Sequence, residues 1–179
     1  SIGVSAHGVR AWYLNSPRII PVMENGFVGS VAEGGAVNFR DIYFNPHGHG
    51  THTESHGHIS KEIFPVSACF DQFFFDAQLL TVTPMIIDGD RVITAEQLAH
   101  LTACEALVIR TLPNNLSKHT ANYSDTNPTY MDVACVEVLN KLGVKHLLVD
   151  IPSVDKEIDG GVLAFHHAFW NVPDGPILD

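Results

Sequence analysis

The sequence predicts an α/β or α+β fold, and two observations carry that expectation. A helix-forming stretch that begins at Thr94 leads into the short apolar run 106–110 (ALVIR), and a second, 127–142, leads into 144–151 (VKHLLVDI). Helix followed by buried strand, twice over, is the signature of a sheet covered by helices. Neither an internal repeat nor a linker-like stretch interrupts the chain, so 1–179 reads as a single domain, long enough to bury about 70% of its unfolded surface.

Taken in order, residues 1–21 show neither strong period and read as short strands and loops, with Trp12 and Tyr13 as packing aromatics beside a turn. Glu33, Gly34 and Gly35 mark a turn, and Val37, Phe39, Ile42 and Phe44 trace a strand. Phe70, Phe73, Phe74 and Phe75 form a dense aromatic group, assigned to the core or to a protomer interface. The stretch 79–87 (LLTVTPMII) alternates as a strand, limited by Pro84. Thr94 and Gln97 have capping-box spacing, with Leu98 and Leu101 following on one helix face. Residues 111–124 are polar enough for a loop. Asn127 then reads as an N-cap with Pro128 at the first helical position, and Gly143 closes that helix before 144–151, a central strand.

Between these elements lies 45–60, NPHGHGTHTESHGHIS, where five of the eleven histidines fall within twelve positions beside a carboxylate. Imidazole nitrogen and carboxylate oxygen bind zinc, manganese or iron at neutral pH, so the segment reads as a metal site. In an extended chain His52, Glu54, His56 and His58 would share one face at roughly 6–7 Å intervals, too far apart for one cation. Either the segment bends, for which Gly48, Gly50 and Gly57 give freedom, or some of these groups serve other roles. The histidines are internal and interleaved with Gly, Thr and Glu, which argues against an appended tag.

Bulk properties narrow the partners. A formal charge of −10 disfavours nucleic acid and anionic membranes, which would be repelled at long range. No apolar run approaches the ~18–20 residues of a membrane span, and the first residues lack a signal-peptide layout, although a cleaved peptide would leave no trace. Cys69, Cys104 and Cys135 are odd in number, widely spaced and without a CxxC pattern, so buried free thiols and a reducing, cytoplasmic setting are expected.

The blocks GTHTESHGH, VITAEQL, LVIRT, GVKHLLVDIPSVD and FHHAFW, in that order, resemble the metal-dependent hydrolases of the cyclase family, which includes bacterial kynurenine formamidase. The family motif runs His-x-Gly-Thr/Ala-His-x-Asp-x-Pro-x-His. Gly50, Thr51 and His52 match its middle, Glu54 stands at the acidic position, His58 at the last histidine and His56 where proline is usual. Gly48 occupies the first histidine position, so His47, with His49 as alternate, takes that role.

The resemblance implies a three-layer β/β/α (swivelling) domain, homo-oligomeric, acting on a small-molecule substrate. It implies one or two divalent ions, zinc or manganese, held by His47, His52, Glu54 and a late histidine, His166 or else His167. The later glutamate of the family has no counterpart between Glu157 and Asp179, so it lies beyond this chain or is missing from the site.

For such a site the expected chemistry is attack of activated water on an amide, formamide, lactone or cyclic imide, with His58 as general base and acid. His56 reads as an outer or solvent-facing residue. His100 and His146 read as surface or satisfied core residues, and Asp150 and Asp155 as turn-fixing groups that could add supporting hydrogen bonds. Ser153 lacks a nucleophile-elbow context and no cysteine has an activating basic neighbour, so covalent catalysis is disfavoured. The alternative is a non-catalytic metal- or small-ligand-binding protein with a degenerate site.

Overall fold

The computed structural model describes residues 2–172. The expected C-terminal boundary at Asp179 lies outside them. The α/β class is borne out, and the chain divides into two compact units: Ser1–His52 with Leu116–Ser124, and Thr53–Asn115 with the chain from Asp125 onward.

In the first unit, β1 (Arg18–Pro21) pairs antiparallel with β4 (Arg40–Tyr43), and β2 (Met23–Glu24) with β3 (Phe27–Val28). Asn25 and Gly26 join β2 to β3 with φ of 50° and 82°, the positive pair that a two-residue hairpin of native twist demands. The expected turn at Glu33–Gly34 is present, Gly34 taking φ 91°. A single helical turn, α1 (Pro46–His49), follows, with Asn45 accepting from the His47 N–H and proline at its start.

The second unit holds the main core. Here β5 (Ala77–Val82), β8 (Ala106–Thr111) and β10 (His146–Val149) form a parallel sheet in the order β10-β8-β5. A second sheet, ordered β6-β7-β9, joins β6 (Met85–Ile87), β7 (Asp90–Ile93) and β9 (Tyr130–Met131). The helices are α2 (Ala95–Leu98), α3 (Cys135–Leu142) and α4 (Ala164–Trp170). Ile93, Leu98, Leu107, Leu139 and Cys135 are fully buried in one apolar cluster with Ile109, Met131 and Phe165. The capping box forms as expected: Thr94 and Gln97 satisfy each other's backbone N–H groups at the start of α2.

Four expectations are corrected. The run 79–87 is two strands in different sheets, because the chain leaves the parallel sheet at Thr83 and Pro84, and proline cannot donate to a ladder. The 127–142 helix starts only at Cys135. Asn127 has φ 46° and binds Asp90 and Glu157, Met131 belongs to β9, and the Asp132 carboxylate caps the helix through the Ala134 N–H. β10 is an edge strand rather than a central one, since both other strands of its sheet lie on one side of it, and Leu148 is 49% exposed. Cys69 is an exposed thiol rather than a buried one, because the 3-10 turn Val66–Ala68 and the loop after it lie outside the apolar cluster. Phe73 and Phe74 are exposed as well, outside the core, one of their two expected places. Among the described residues no helix is long and apolar enough to cross a membrane.

Candidate metal and acid–base site

The histidine segment is not a strand. After His52 the chain is irregular, and His56–His58 forms a 3-10 turn. The hydroxyl of buried Ser55 donates to the Phe64 carbonyl (3.1 Å), and the His58 N–H to the Ser55 carbonyl (2.9 Å). Gly57 is required here, since a Cβ at that position would fall on the Phe64 carbonyl. His56 lies against the Phe64 ring, centroids 4.1 Å apart.

This turn brings His58 Nε2 to 3.8 Å from Glu54 Oε1, one turn earlier in the chain. The other oxygen of Glu54 lies 3.7 Å from Nε2 of His166, supplied by α4, and the rings of His58 and His166 are 5.8 Å apart. Two imidazoles and one carboxylate thus converge within the second unit, His166 coming from more than a hundred residues beyond the other two.

His166 is buried, and its Nδ1 meets Asp155 Oδ2 at 2.5 Å. Burial alone would lower the imidazole's pKa, but the hydrogen bond to Asp155 and the nearby Glu54 carboxylate outweigh it and lift the value from 6.5 to about 9. Burial would raise Asp155; its bonds to the His166 ring and to the backbone N–H groups of Phe165 and His166 hold it below the usual carboxylate range. A carboxylate on Nδ1 is a common way of fixing a histidine ring; here Nε2 faces a second carboxylate, that of Glu54.

His47 and His52 lie together in the first unit, rings 5.1 Å apart. His52 Nδ1 is 3.0 Å from the Gly50 carbonyl, which can only accept, so Nδ1 is the donor in that contact. His49 is engaged at both ring nitrogens: Nε2 donates to the Asn15 carbonyl and Nδ1 accepts from the Asn45 N–H, both at 2.8 Å. With 4% exposure it is built into the packing. A Cβ on Gly48 would meet the tip of the Leu14 side chain, Cδ1, at 2.5 Å, so that side chain would have to move. His167 is buried, with Nδ1 3.0 Å from the Val172 carbonyl. The second unit thus offers two imidazoles, His58 and His166, and the Glu54 carboxylate, donor types that hold divalent metal ions.

A cleft of about 630 Å³ opens at Glu54, walled by His56, Phe70, Phe75, His146 and Trp170. His146 packs against both Phe70 and Phe75, with centroids at 5.6 and 3.9 Å, and Trp170 lies 5.2 Å from the His166 ring. These wall residues carry no metal-ligand spacing, so no local signal in the sequence marks them. Nor does one mark Asp155 as the partner of His166; only the acidic residue after Pro152 and Ser153 hints at it.

No curated protein matches the chain. The Cyclase family profile matches residues 3–156, well over half of the 179, including the whole histidine segment and Asp155. This chain therefore belongs to the Cyclase family.

Proposed function

We propose that the protein is a metal-dependent hydrolase of small amides, formamides, lactones or cyclic imides, with an arylformamide as the nearest substrate type. The observation that carries this reading is the convergence of His58 and His166 on the two oxygens of Glu54. Family membership supports an enzyme in general terms.

A divalent ion, zinc or manganese, would be held by His47, His52, Glu54 and His166, and would supply Lewis acidity that polarises a carbonyl and acidifies water near neutral pH. The rest of the chemistry falls to the chain. His58 accepts a proton from the attacking water at Nε2, beside the negative charge of Glu54, while the water oxygen bonds to the acyl carbon. The carbon–nitrogen or carbon–oxygen bond then breaks, and His58 returns the proton to the leaving atom. Trp170, Phe70 and Phe75 offer the substrate apolar surface in the cleft. On the same reading, the working form is a homo-oligomer in the cytoplasm.

A second reading, a ligand-binding protein without turnover, draws support from His166 itself. Placed between Asp155 and Glu54, its imidazolium is balanced by carboxylates without any ion. Metal content of the purified protein, followed by hydrolysis of a formamide and lactone panel with and without chelator, separates the two. Stoichiometric metal with no chelator-sensitive turnover on any substrate would leave only the second.

A further inference from the structure

The ribbon of β1 and β4 leaves one edge open. The Val22 N–H donates to the Phe39 carbonyl (3.0 Å), and the register sets Ile20 against Asp41 and Arg18 against Tyr43. These pairs therefore exchange the ladder hydrogen bonds, while Ile19, Pro21, Arg40 and Ile42 direct their backbone groups outward. On β1 the outward position of Pro21 has no N–H to offer, which guards that edge. On β4 the outward edge, that of Arg40 and Ile42, pairs with no other strand among the described residues. Every residue of β4 is exposed, Ile42 at 60%, and Ile19, opposite it on β1, at 50%. A two-stranded ribbon is marginal by itself in water, and an open apolar edge is a template for another strand.

We propose that β4 pairs antiparallel with β4 of a second copy, about a two-fold axis at Ile42, so that a four-stranded sheet crosses a homodimer. Charge and pairing length select that axis. An axis at Arg40 or Asp41 sets Arg40 against Arg40 or Asp41 against Asp41, and like charges directly opposite are destabilising. One further along than Ile42 pairs less of the strand. At Ile42, Arg40 meets Phe44 of the second copy and Asp41 meets Tyr43, over whose ring the Arg18 guanidinium already lies, 4.7 Å from the centroid. Ile19 and Ile42 of both copies then form one apolar row on a single face. A chain of net charge −10 repels its own copies in general; β1 and β4, with Arg18 and Arg40 against Asp41, form a stretch where it does not. This gives a surface to the homo-oligomer of the reading above and rests on that part of it alone, not on metal or turnover.

The test is sedimentation of wild type and Ile42→Lys over a dilution series, with disulfide trapping of Ile42→Cys in a Cys69→Ser background. Expected are a wild-type dimer and, for Ile42→Lys, which sets two ammonium groups face to face, a dissociation constant raised at least about tenfold. Mild oxidation should give a covalent dimer from Ile42→Cys, whose paired Cα atoms would lie about 5.5 Å apart. Ile19→Cys should give none, its Cα atoms lying about 14 Å apart across the sheet. A wild type that is monomeric at every concentration overturns the inference, as does a dimer that Ile42→Lys leaves intact or that traps no Ile42→Cys disulfide. The trap decides alone should the lysine variant not fold. A dimer trapped at Ile42 but without metal or turnover keeps the interface and sinks the hydrolase reading; a monomer that hydrolyses a formamide does the reverse.

Discussion

Glu54 Oε1 and His58 Nε2 lie 3.8 Å apart because one 3-10 turn folds the chain between them. A proton taken up on His58 is therefore opposed by a carboxylate as it arrives. His58→Ala should lower kcat by about 10²–10⁴-fold, the usual worth of a positioned acid–base group, while metal content measured by elemental analysis stays near wild type. Parallel loss of metal and activity would make His58 a ligand instead of a proton carrier.

Gly57 sets that geometry. With a Cβ directed onto the Phe64 carbonyl, Gly57→Ala must shift the turn and should cost about 1–3 kcal/mol in urea unfolding. Activity should fall further than stability alone explains, since the His58–Glu54 approach depends on the turn. An alanine variant as stable and active as wild type would refute the packing argument.

Leu107 sits on the central strand β8 with 0% exposure, whereas Leu148 on the edge strand β10 is 49% exposed. Leu107→Ala should destabilise the protein by about 2–5 kcal/mol. Leu148→Ala should stay within about 0.5 kcal/mol. Equal losses in chemical denaturation would contradict the sheet order.

Asp90 accepts hydrogen bonds from Lys156, Asn127 and Tyr130, and these, Lys156 first, hold its carboxyl at about 2 rather than 3.8. Its contribution is fully present above pH 3.8 and is lost as the pH falls through about 2. Unfolding free energy should therefore decline across that window, and Asp90→Asn should flatten the decline. Identical slopes for the two proteins would show that the network contributes nothing to acid sensitivity.

The thiols should separate kinetically. Cys69 is exposed, while burial, aided by the charges of Asp132 and Glu96, pushes the Cys135 thiol up to about 12. A thiol reagent at pH 8 should modify Cys69 in the native protein and Cys135 only after urea is added. Prompt native labelling of Cys135 would mean that the core around α3 opens locally.

Much of this was legible in the sequence where short-range chemistry decides. The capping box of Thr94 and Gln97, Gly143 with φ 75° after α3, and β8 as a buried strand all follow from spacing and residue type within a few positions. The helix read from Asn127 failed for the opposite reason. Its apolar spacing suits a helix, but Asp90 and Glu157, each about thirty or more residues distant, hold Asn127 in a left-handed conformation and leave Met131 to pair with β7.

The sequence by itself determined the donor chemistry, the histidines and carboxylate of 45–60 and the late His166, and the family of the chain over residues 3–156. Tertiary structure alone decided which atoms meet. It engaged both nitrogens of His49 in backbone hydrogen bonds, brought His58 and His166 to opposite oxygens of Glu54, and put Asp155 behind His166. Spacing along a chain fixes what a segment can donate; the direction of each lone pair is set by hydrogen-bond partners that only packing brings within reach.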